Sequence, residues 1–237
     1  MQQRFTGARA IFLASALLLF SPAALFAAQC NGHSDEPLVK LLPPPPCETC
    51  PKTKAELEEL AGLEAARTPE QAKYVGEDTE RSVSRFLERA GVAFDAKALA
   101  ACDGFFMKRR KEEKAAVEAA KNSFCRPRPF LTPGNTLHPV DSARPDNSFS
   151  YPSGHATYGS TLGFLLAEMM PEKRAAIYAR IDDYGHSRMV AGVHFRSDIE
   201  AGKLFGAAIV SALFAKPGFA GEFAEAKSCV RKAAGLE

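Results

Sequence analysis

Apolar residues recur every three or four positions along most of this chain, which is the spacing of helices that bury one face. The pattern is strongest over residues 79–90, 153–170 and 171–183, and in a last segment that begins near Asp198. No stretch alternates apolar and polar residues with period two, as a half-buried strand would. The pattern therefore predicts an all-α protein, with its helices in a single domain over residues 53–237.

Helix start signals divide the first half of this domain. Thr53 with Glu56 predicts a capping box, in which both side chains bond early backbone amides of one helix. Thr68, which stands before a proline, and Asp95 further along are N-cap residues for two more helices. Several helices are therefore expected before residue 121.

The longest stretch without helical spacing covers residues 122–152, and loops of this length in a compact domain usually serve a function. The next helix opens with Ser153, a good N-cap residue, and with Gly154, which has no side chain. Early helical amides lack partners inside the helix, and the helix dipole favours negative charge there. This helix start therefore predicts an anion site, beside which His155 can donate or accept a proton near neutral pH.

The first 28 residues resemble a secretory signal peptide. Arg4 and Arg9 form a basic start, residues 10–26 are apolar, and small residues follow at Ala27-Ala28. A retained membrane anchor and a lipid-modified Cys30 are the less favoured alternatives. We expect a periplasmic or secreted protein of Gram-negative type. It would have no stable membrane span after cleavage, because no later apolar run reaches about 18 residues.

Residues 29–52 are a proline-rich arm, in which four prolines follow Leu41-Leu42. This segment is expected to be polyproline-like and to pack along the bundle. All six cysteines lie beyond the signal peptide, and an even count in an exported chain predicts up to three disulfides of open pairing. Cys47 and Cys50 are spaced like a redox or zinc motif. We favour a structural staple, because no strand precedes them and no second such pair follows.

The charges of the chain are nearly balanced, with 30 basic and 28 acidic residues and a formal net charge of +2. Arg4 and Arg9 account for that excess, so 28 basic and 28 acidic residues remain beyond the signal peptide. This balance argues against a nucleic-acid-binding protein that works through bulk charge. Any anion site must therefore be a local cluster.

Three such clusters stand out, and they span residues 121–129, 152–155 and 187–198. The cations in these clusters suit a tetrahedral, phosphate-like anion, and they are Lys121, Arg128 and Arg188. Ser153 and Gly154 add neutral hydrogen-bond donors.

His194 and Asp198 are four residues apart, so their side chains can meet on a helical turn. A carboxylate on one imidazole nitrogen fixes the tautomer and leaves the other nitrogen free as a nucleophile. His155 then remains as the acid for a leaving group. Together these residues indicate metal-free phosphoryl transfer through a covalent phosphohistidine.

The clusters read Lys-(six residues)-Arg-Pro, Pro-Ser-Gly-His and Ser-Arg-(five residues)-His-(three residues)-Asp. This order resembles the type 2 phosphatidic acid phosphatase superfamily, and within it the bacterial class A non-specific acid phosphatases. The double leucine and four prolines of the arm, Ser150-Tyr151 before the second cluster, and the run after His194 support the resemblance, which extends from about Leu41 to the last helix.

The resemblance implies a helical bundle that hydrolyses phosphate monoesters of broad specificity at mildly acidic pH, is inhibited by vanadate, and uses no metal or cofactor. It implies that His194 is the nucleophile, that Asp198 orients it, and that His155 serves as acid and then as base. The phosphoryl oxygens would be bound by Lys121, Arg128, Arg188, Ser153 and Gly154. The relatives also suggest a homo-oligomer, which is analogy alone.

Three other functions compete with this interpretation. They are a vanadate-dependent haloperoxidase on the same cradle, a lipid phosphate phosphatase, and an anion-binding protein whose site has decayed. Among nearby residues, Arg126 is expected to be solvated, although it would also be placed to reach substrate. His138 and His186 are expected to stand outside the chemistry.

Overall fold

The computed structural model describes residues 36–143 and 148–237, so the predicted signal peptide over residues 1–28 lies outside the described residues. Within those ranges the chain forms helices and no strand, which confirms the all-α prediction. The helices are α1 (Pro51–Ala66), α2 (Pro69–Glu77), α3 (Val83–Arg89), α4 (Ala96–Ala100), α5 (Asp103–Phe124), α6 (Gly154–Met169), α7 (Arg174–Val190), α8 (Arg196–Phe214) and α9 (Phe219–Ala233). Short 3-10 turns occur at Val39–Leu41, Pro129–Leu131, Asp141–Ala143 and Pro171–Lys173.

Helix α6 is the centre of the bundle and is buried along nearly its whole length. It packs mainly against α7 and α8, with α5 also in contact. Two glycines of α8 let the backbones come close. A Cβ on Gly202 would lie 2.7 Å from the carbonyl oxygen of Ser153, and one on Gly206 would lie 2.9 Å from that of Thr157. The first turn of α6 is therefore held directly against α8.

The proline-rich arm packs along the body, as its sequence predicts. Val39 and Leu42 are buried in one apolar cluster with Tyr151 and Phe205. The hydroxyl of Tyr151 donates a hydrogen bond to the carbonyl of Pro43, which ties the arm to the segment just before α6.

Capping signals predicted three helix starts correctly, at Thr68, Asp95 and Ser153, and one wrongly. Thr68 forms a capping box with Gln71, and Asp95 caps α4 through the amide of Ala98. The capping box predicted at Thr53 and Glu56 is absent, because α1 begins earlier, at Pro51. Thr53 instead donates from its hydroxyl to the carbonyl of Cys47 at 2.7 Å. Glu56 is therefore free to turn into the protein.

Helix α7 is longer than the pattern over residues 171–183 predicted, since it continues to Val190. Ser187 and Arg188 consequently lie in its last turn rather than in a loop. A short connection leads to α8, which begins at Arg196, two residues before the predicted start.

The described cysteines are arranged differently from the favoured interpretation. Cys102 and Cys229 form a disulfide that joins the segment before α5 to α9. Cys47 and Cys50 are free thiols, so the expectation of a structural staple at this pair was wrong. A backbone hydrogen bond at Thr53 is the main cause that lowers the pKa of the Cys50 thiol to about 7, which is typical of a reactive cysteine.

No single helix in the described part of the chain is both long and apolar enough to cross a membrane, although α8 and α9, bent by 111° to each other, have the required length and hydropathy as a pair.

Candidate active site

Three parts of the chain converge on one cavity beside the first turn of α6. The end of α5 brings Lys121, and the connection between α7 and α8 brings His194. Cys125 ends α5 with a left-handed backbone, φ 53°, which turns the chain so that Arg128 returns over the cavity. Five of the eight predicted site residues line this space, and they are Lys121, Arg128, Gly154, His155 and His194. Its volume of about 110 Å³ has room for several waters, and therefore for a phosphoryl group.

His194 is buried and is held by hydrogen bonds at both ring nitrogens. Nδ1 lies 3.2 Å from Oδ2 of Asp198, which also accepts from the amide of Phe195 and the hydroxyl of Ser150. A carboxylate here makes Nδ1 the protonated nitrogen, so Nε2 carries the lone pair. Nε2 accepts from Nη1 of Arg128 at 2.7 Å. Burial, and then the charge of Arg128, lower the pKa of His194 well below its ordinary value.

Lys121 and Arg128 form a buried patch of positive charge. Nζ of Lys121 donates to Ser148 Oγ at 2.9 Å and to the carbonyl of Phe149. Arg128 donates to the carbonyls of Ser148, at 2.9 Å, and Val193, at 2.8 Å. Burial lowers the pKa of Lys121 markedly and that of Arg128 to about 10. Glu118 and Asp198 act on both charges, but neither cation forms an ion pair with a carboxylate among the described residues, so this patch favours an anion in the cavity.

The N-terminus of α6 completes the wall of the cavity. Ser153 caps the helix by accepting from the amide of Ala156 at 3.3 Å, and its own amide donates to the carbonyl of Asp198 at 3.0 Å. A Cβ on Gly154 would lie 3.2 Å from Nη2 of Arg81, so a side chain there would intrude among the cations. Helical amides, an absent side chain and cations thus meet at one point, as the sequence predicted for an anion site.

His155 is half-buried and lines the same cavity as His194. Its Nε2 donates to the carbonyl of Thr79 at 3.2 Å, and its Nδ1 lies 3.3 Å from Nη2 of Arg81. Burial, and then the charge of Arg81, lower the pKa of His155 well below its ordinary value. His155 is therefore neutral over a wide pH range unless a negative charge comes near it.

Arg188 does not line the cavity, although the sequence predicted that it binds the anion. It is buried in α7, where Nε donates to Ser187 Oγ at 3.0 Å and Nη2 donates to the carbonyl of Val75. Among the described residues, its Nη1 is buried without a hydrogen-bond partner. The charge of Arg188 still contributes to lowering the pKa of His155 and of His194, so it affects the site electrostatically without lining the cavity.

The sequence missed Arg81, which lies between α2 and α3 and lines the cavity. Nothing in the pattern distinguishes it from a surface arginine before the N-cap residue Ser82, since no motif includes it. Glu113 and Glu118 also line the cavity. Burial raises the pKa of Glu113 to about 7.

The expectation that Arg126 is solvated was wrong. This side chain is buried and forms ion pairs with Asp198, at 2.7 Å, and with Glu56, at 3.0 Å. His138 and His186 are exposed and do not line the cavity.

Residues 113–221 match the PAP2 superfamily model, and this range holds all three clusters. The chain is 29% identical to the non-specific acid phosphatase of Salmonella typhimurium over 205 residues, which cover 79% of this chain and 78% of that protein. It is 27% identical to the acid phosphatase of Zymomonas mobilis over 209 residues, 85% of this chain and 77% of that one. It is 33% identical to the non-specific acid phosphatase of Providencia stuartii over 113 residues, 47% and 46% of the two chains.

The chain therefore contains a PAP2 superfamily domain and is a homologue of bacterial proteins named acid phosphatase, which confirms the resemblance of its clusters. Among solved structures, the transmembrane PAP2 type phosphatidylglycerolphosphate phosphatase from Bacillus subtilis aligns with a TM-score of 0.48 and 17% identity. The alignment covers 68% of this chain and 83% of that chain, and the similarity is too low to bear on the site.

Proposed function

We propose that this protein is an acid phosphatase that hydrolyses phosphate monoesters through a covalent phosphohistidine on His194. One observation carries the proposal. Nδ1 of His194 is bonded to Asp198, and its Nε2 lies at the cavity among cations that carbonyl oxygens alone do not neutralise. A fixed imidazole lone pair beside an anion site is the arrangement that nucleophilic attack on phosphorus requires.

In the first step, Nε2 of His194 attacks phosphorus and the bond from phosphorus to the ester oxygen breaks. The leaving alcohol takes a proton from His155. Thr79 occupies Nε2 of His155, so Nδ1 is the nitrogen that would carry this proton. Lys121 and Arg128 balance the phosphoryl charge while Asp198 stabilises the positive charge that develops on His194.

In the second step, His155 takes a proton from water, the water oxygen attacks phosphorus, and the bond between phosphorus and Nε2 breaks. Inorganic phosphate leaves, and His194 regains its lone pair. His155 thus serves once as acid and once as base, and no proton is left over at the end of a cycle.

An acidic optimum follows from the surroundings of His155. The acid must be protonated when the substrate binds, yet burial and Arg81 lower its pKa. Protonated His155 is therefore abundant only on the acid side of neutrality. His194 must be neutral to attack, and burial together with the charge of Arg128 favours its neutral form by lowering its pKa.

We also propose broad specificity and a periplasmic or secreted location. The groups that hold the phosphoryl part are numerous, and none of them recognises a particular alcohol. Export rests on the signal-like residues 1–28, and the disulfide between Cys102 and Cys229 is typical of an oxidising compartment.

The experiment is hydrolysis of p-nitrophenyl phosphate from about pH 4 to about pH 9, with EDTA present and with vanadate titrated in. Activity that peaks on the acid side, survives EDTA and is inhibited by vanadate would support the proposal. Loss of activity in EDTA would contradict metal independence. Bromide oxidation with vanadate and peroxide, in the absence of hydrolysis, would favour a haloperoxidase instead.

A further inference from the structure

We propose that Arg126, which forms an ion pair with Glu56, is a positioning residue for the His194–Asp198 pair. The inference rests on the proposed function, because it concerns the residue that orients the proposed nucleophile. Arg126 does not line the cavity, so it would act only through Asp198.

The two oxygens of Asp198 have separate partners. Oδ2 faces His194, together with the amide of Phe195 at 2.9 Å and the hydroxyl of Ser150. Oδ1 accepts from Nη1 of Arg126 at 2.7 Å. Asp198 is fully buried, so the position of its carboxylate is set by these donors and not by water. Arg126 therefore fixes the rotation of the carboxylate that places Oδ2 against the imidazole.

The side chain of Arg126 is itself fixed by hydrogen bonds and by an aromatic contact. Its Nη2 donates to Glu56 Oε2 at 3.0 Å, and its Nη1 also donates to Ser197 Oγ at 2.7 Å. Glu56 in turn accepts from the amide and the hydroxyl of Ser197, both at 2.9 Å. The guanidinium also stacks on the ring of Phe195, 3.9 Å from its centroid. These partners connect α1 to the first turn of α8, immediately behind the nucleophile.

The chemistry of this position requires an arginine. The guanidinium is planar and bonds two carboxylates at once, Glu56 with one amino group and Asp198 with the other. A lysine has one compact ammonium, so it would have to serve both carboxylates from a single nitrogen. The arginine also separates two buried negative charges, so it keeps Asp198 compatible with burial beside a second carboxylate.

The test compares Arg126→Met, which removes the fork and the charge but keeps the length, with Arg126→Lys and Glu56→Gln. The measurements are kcat and KM for p-nitrophenyl phosphate, the inhibition constant of vanadate, and the rate of phosphoenzyme formation by rapid quench. Arg126→Met should lower kcat and the phosphorylation rate by about 10- to 100-fold, as for other outer partners that orient a functional histidine. KM and the vanadate constant should change by less than about threefold, because the anion cradle is untouched. Arg126→Lys should recover part of kcat, and Glu56→Gln should cost less than Arg126→Met.

Arg109→Met is the matched control. Arg109 is equally buried, pairs with Glu222 at 3.0 Å and lies over the rings of Phe105 and Phe219, away from the cavity. It should lower thermal stability without changing kcat. Wild-type kcat in Arg126→Met would overturn the proposal, and so would a parallel loss of kcat and vanadate binding, which would indicate a merely structural role.

A different result would contradict the proposed function, namely turnover by the wild-type enzyme without a phosphohistidine. In that case the kcat of Arg126→Met, measured relative to wild type, still decides whether Arg126 positions the His194–Asp198 pair.

Discussion

Nη1 of Arg128 donates to Nε2 of His194 across 2.7 Å, so an arginine occupies the nitrogen that attacks phosphorus in the proposed mechanism. His155 has the same relationship to Arg81, at 3.3 Å from Nδ1. The other ring nitrogen of each histidine bonds an oxygen. Nδ1 of His194 bonds Asp198 Oδ2, and Nε2 of His155 bonds the carbonyl oxygen of Thr79. Both arginines must therefore turn to the phosphoryl oxygens before the histidines react, which couples substrate binding to their release.

The contact between Arg81 and His155 predicts a shift in the pH profile. The value of kcat/KM should fall as pH rises through the pKa of His155, since the acid must be protonated. Burial lowers this pKa most, and among the charges Arg81 has the largest effect, ahead of Arg188 and His194. Arg81→Gln keeps a donor but removes the charge, so the pKa should rise and the basic limb should move to higher pH. The measurement is kcat/KM for p-nitrophenyl phosphate against pH.

Arg110→Gln is the control for this shift, because Arg110 is exposed, its Nη1 donates to the carbonyl of Arg81 at 3.4 Å, and its charge is not among the main causes that lower the pKa of His155. Its pH profile should match that of the wild type. A basic limb that stays in place in Arg81→Gln, or that moves equally in both variants, would contradict the assignment.

The role of His155 as acid predicts a dependence on the leaving group. His155→Ala should slow alkyl phosphates by about 10²- to 10⁴-fold, since an alkoxide needs a proton to leave. Esters such as p-nitrophenyl phosphate should lose much less, because their leaving groups are stable without one. Rates for a series of esters with different leaving-group pKa values check this. Equal losses across the series would remove His155 from that role.

Gly154 should be intolerant of any side chain. A Cβ there would lie 3.2 Å from Arg81 Nη2 and 3.4 Å from Val117 Cγ1, within the space where the anion would sit. Gly154→Ala should therefore weaken vanadate inhibition by roughly tenfold. Gly62→Ala is the matched control, since a Cβ in that position of α1 meets nothing within 4 Å. Unchanged inhibition in Gly154→Ala would argue that the anion binds elsewhere.

The disulfide predicts a contribution to stability that is separate from catalysis. Cys102 and Cys229 are 127 residues apart in sequence, so the bond constrains much of the unfolded chain. Replacing both by serine should lower the free energy of unfolding in urea by about 2–4 kcal/mol. Replacing the free thiols Cys47 and Cys50 instead should cost less than about 1 kcal/mol. Equal midpoints for the two double variants would contradict this prediction.

The sequence predicted the all-α fold and the three clusters because local spacing determines both. Helical periodicity and the caps at Thr68, Asp95 and Ser153 act within one turn, and His194 and Asp198 meet because they are four residues apart. These features need no knowledge of which helices pack together.

The remaining features depend on contacts between distant segments. Glu56 lies 141 residues from its partner Ser197, and Arg126 lies 72 from Asp198, so neither contact leaves a local signal. A glutamate three residues after a threonine fits a capping box equally well, which is why Glu56 was misassigned. Arg81 is invisible for the same reason, since only the fold places it beside His155.

Trapping of the phosphoenzyme tests the central claim most directly. Wild-type protein is mixed with a labelled phosphate ester, quenched in alkaline denaturant and digested, and the labelled peptide is identified by mass spectrometry. The account predicts an alkali-stable, acid-labile phosphoryl group on His194, and it predicts neither label nor turnover in His194→Ala. Label on another residue, or near-native turnover in His194→Ala, would contradict it.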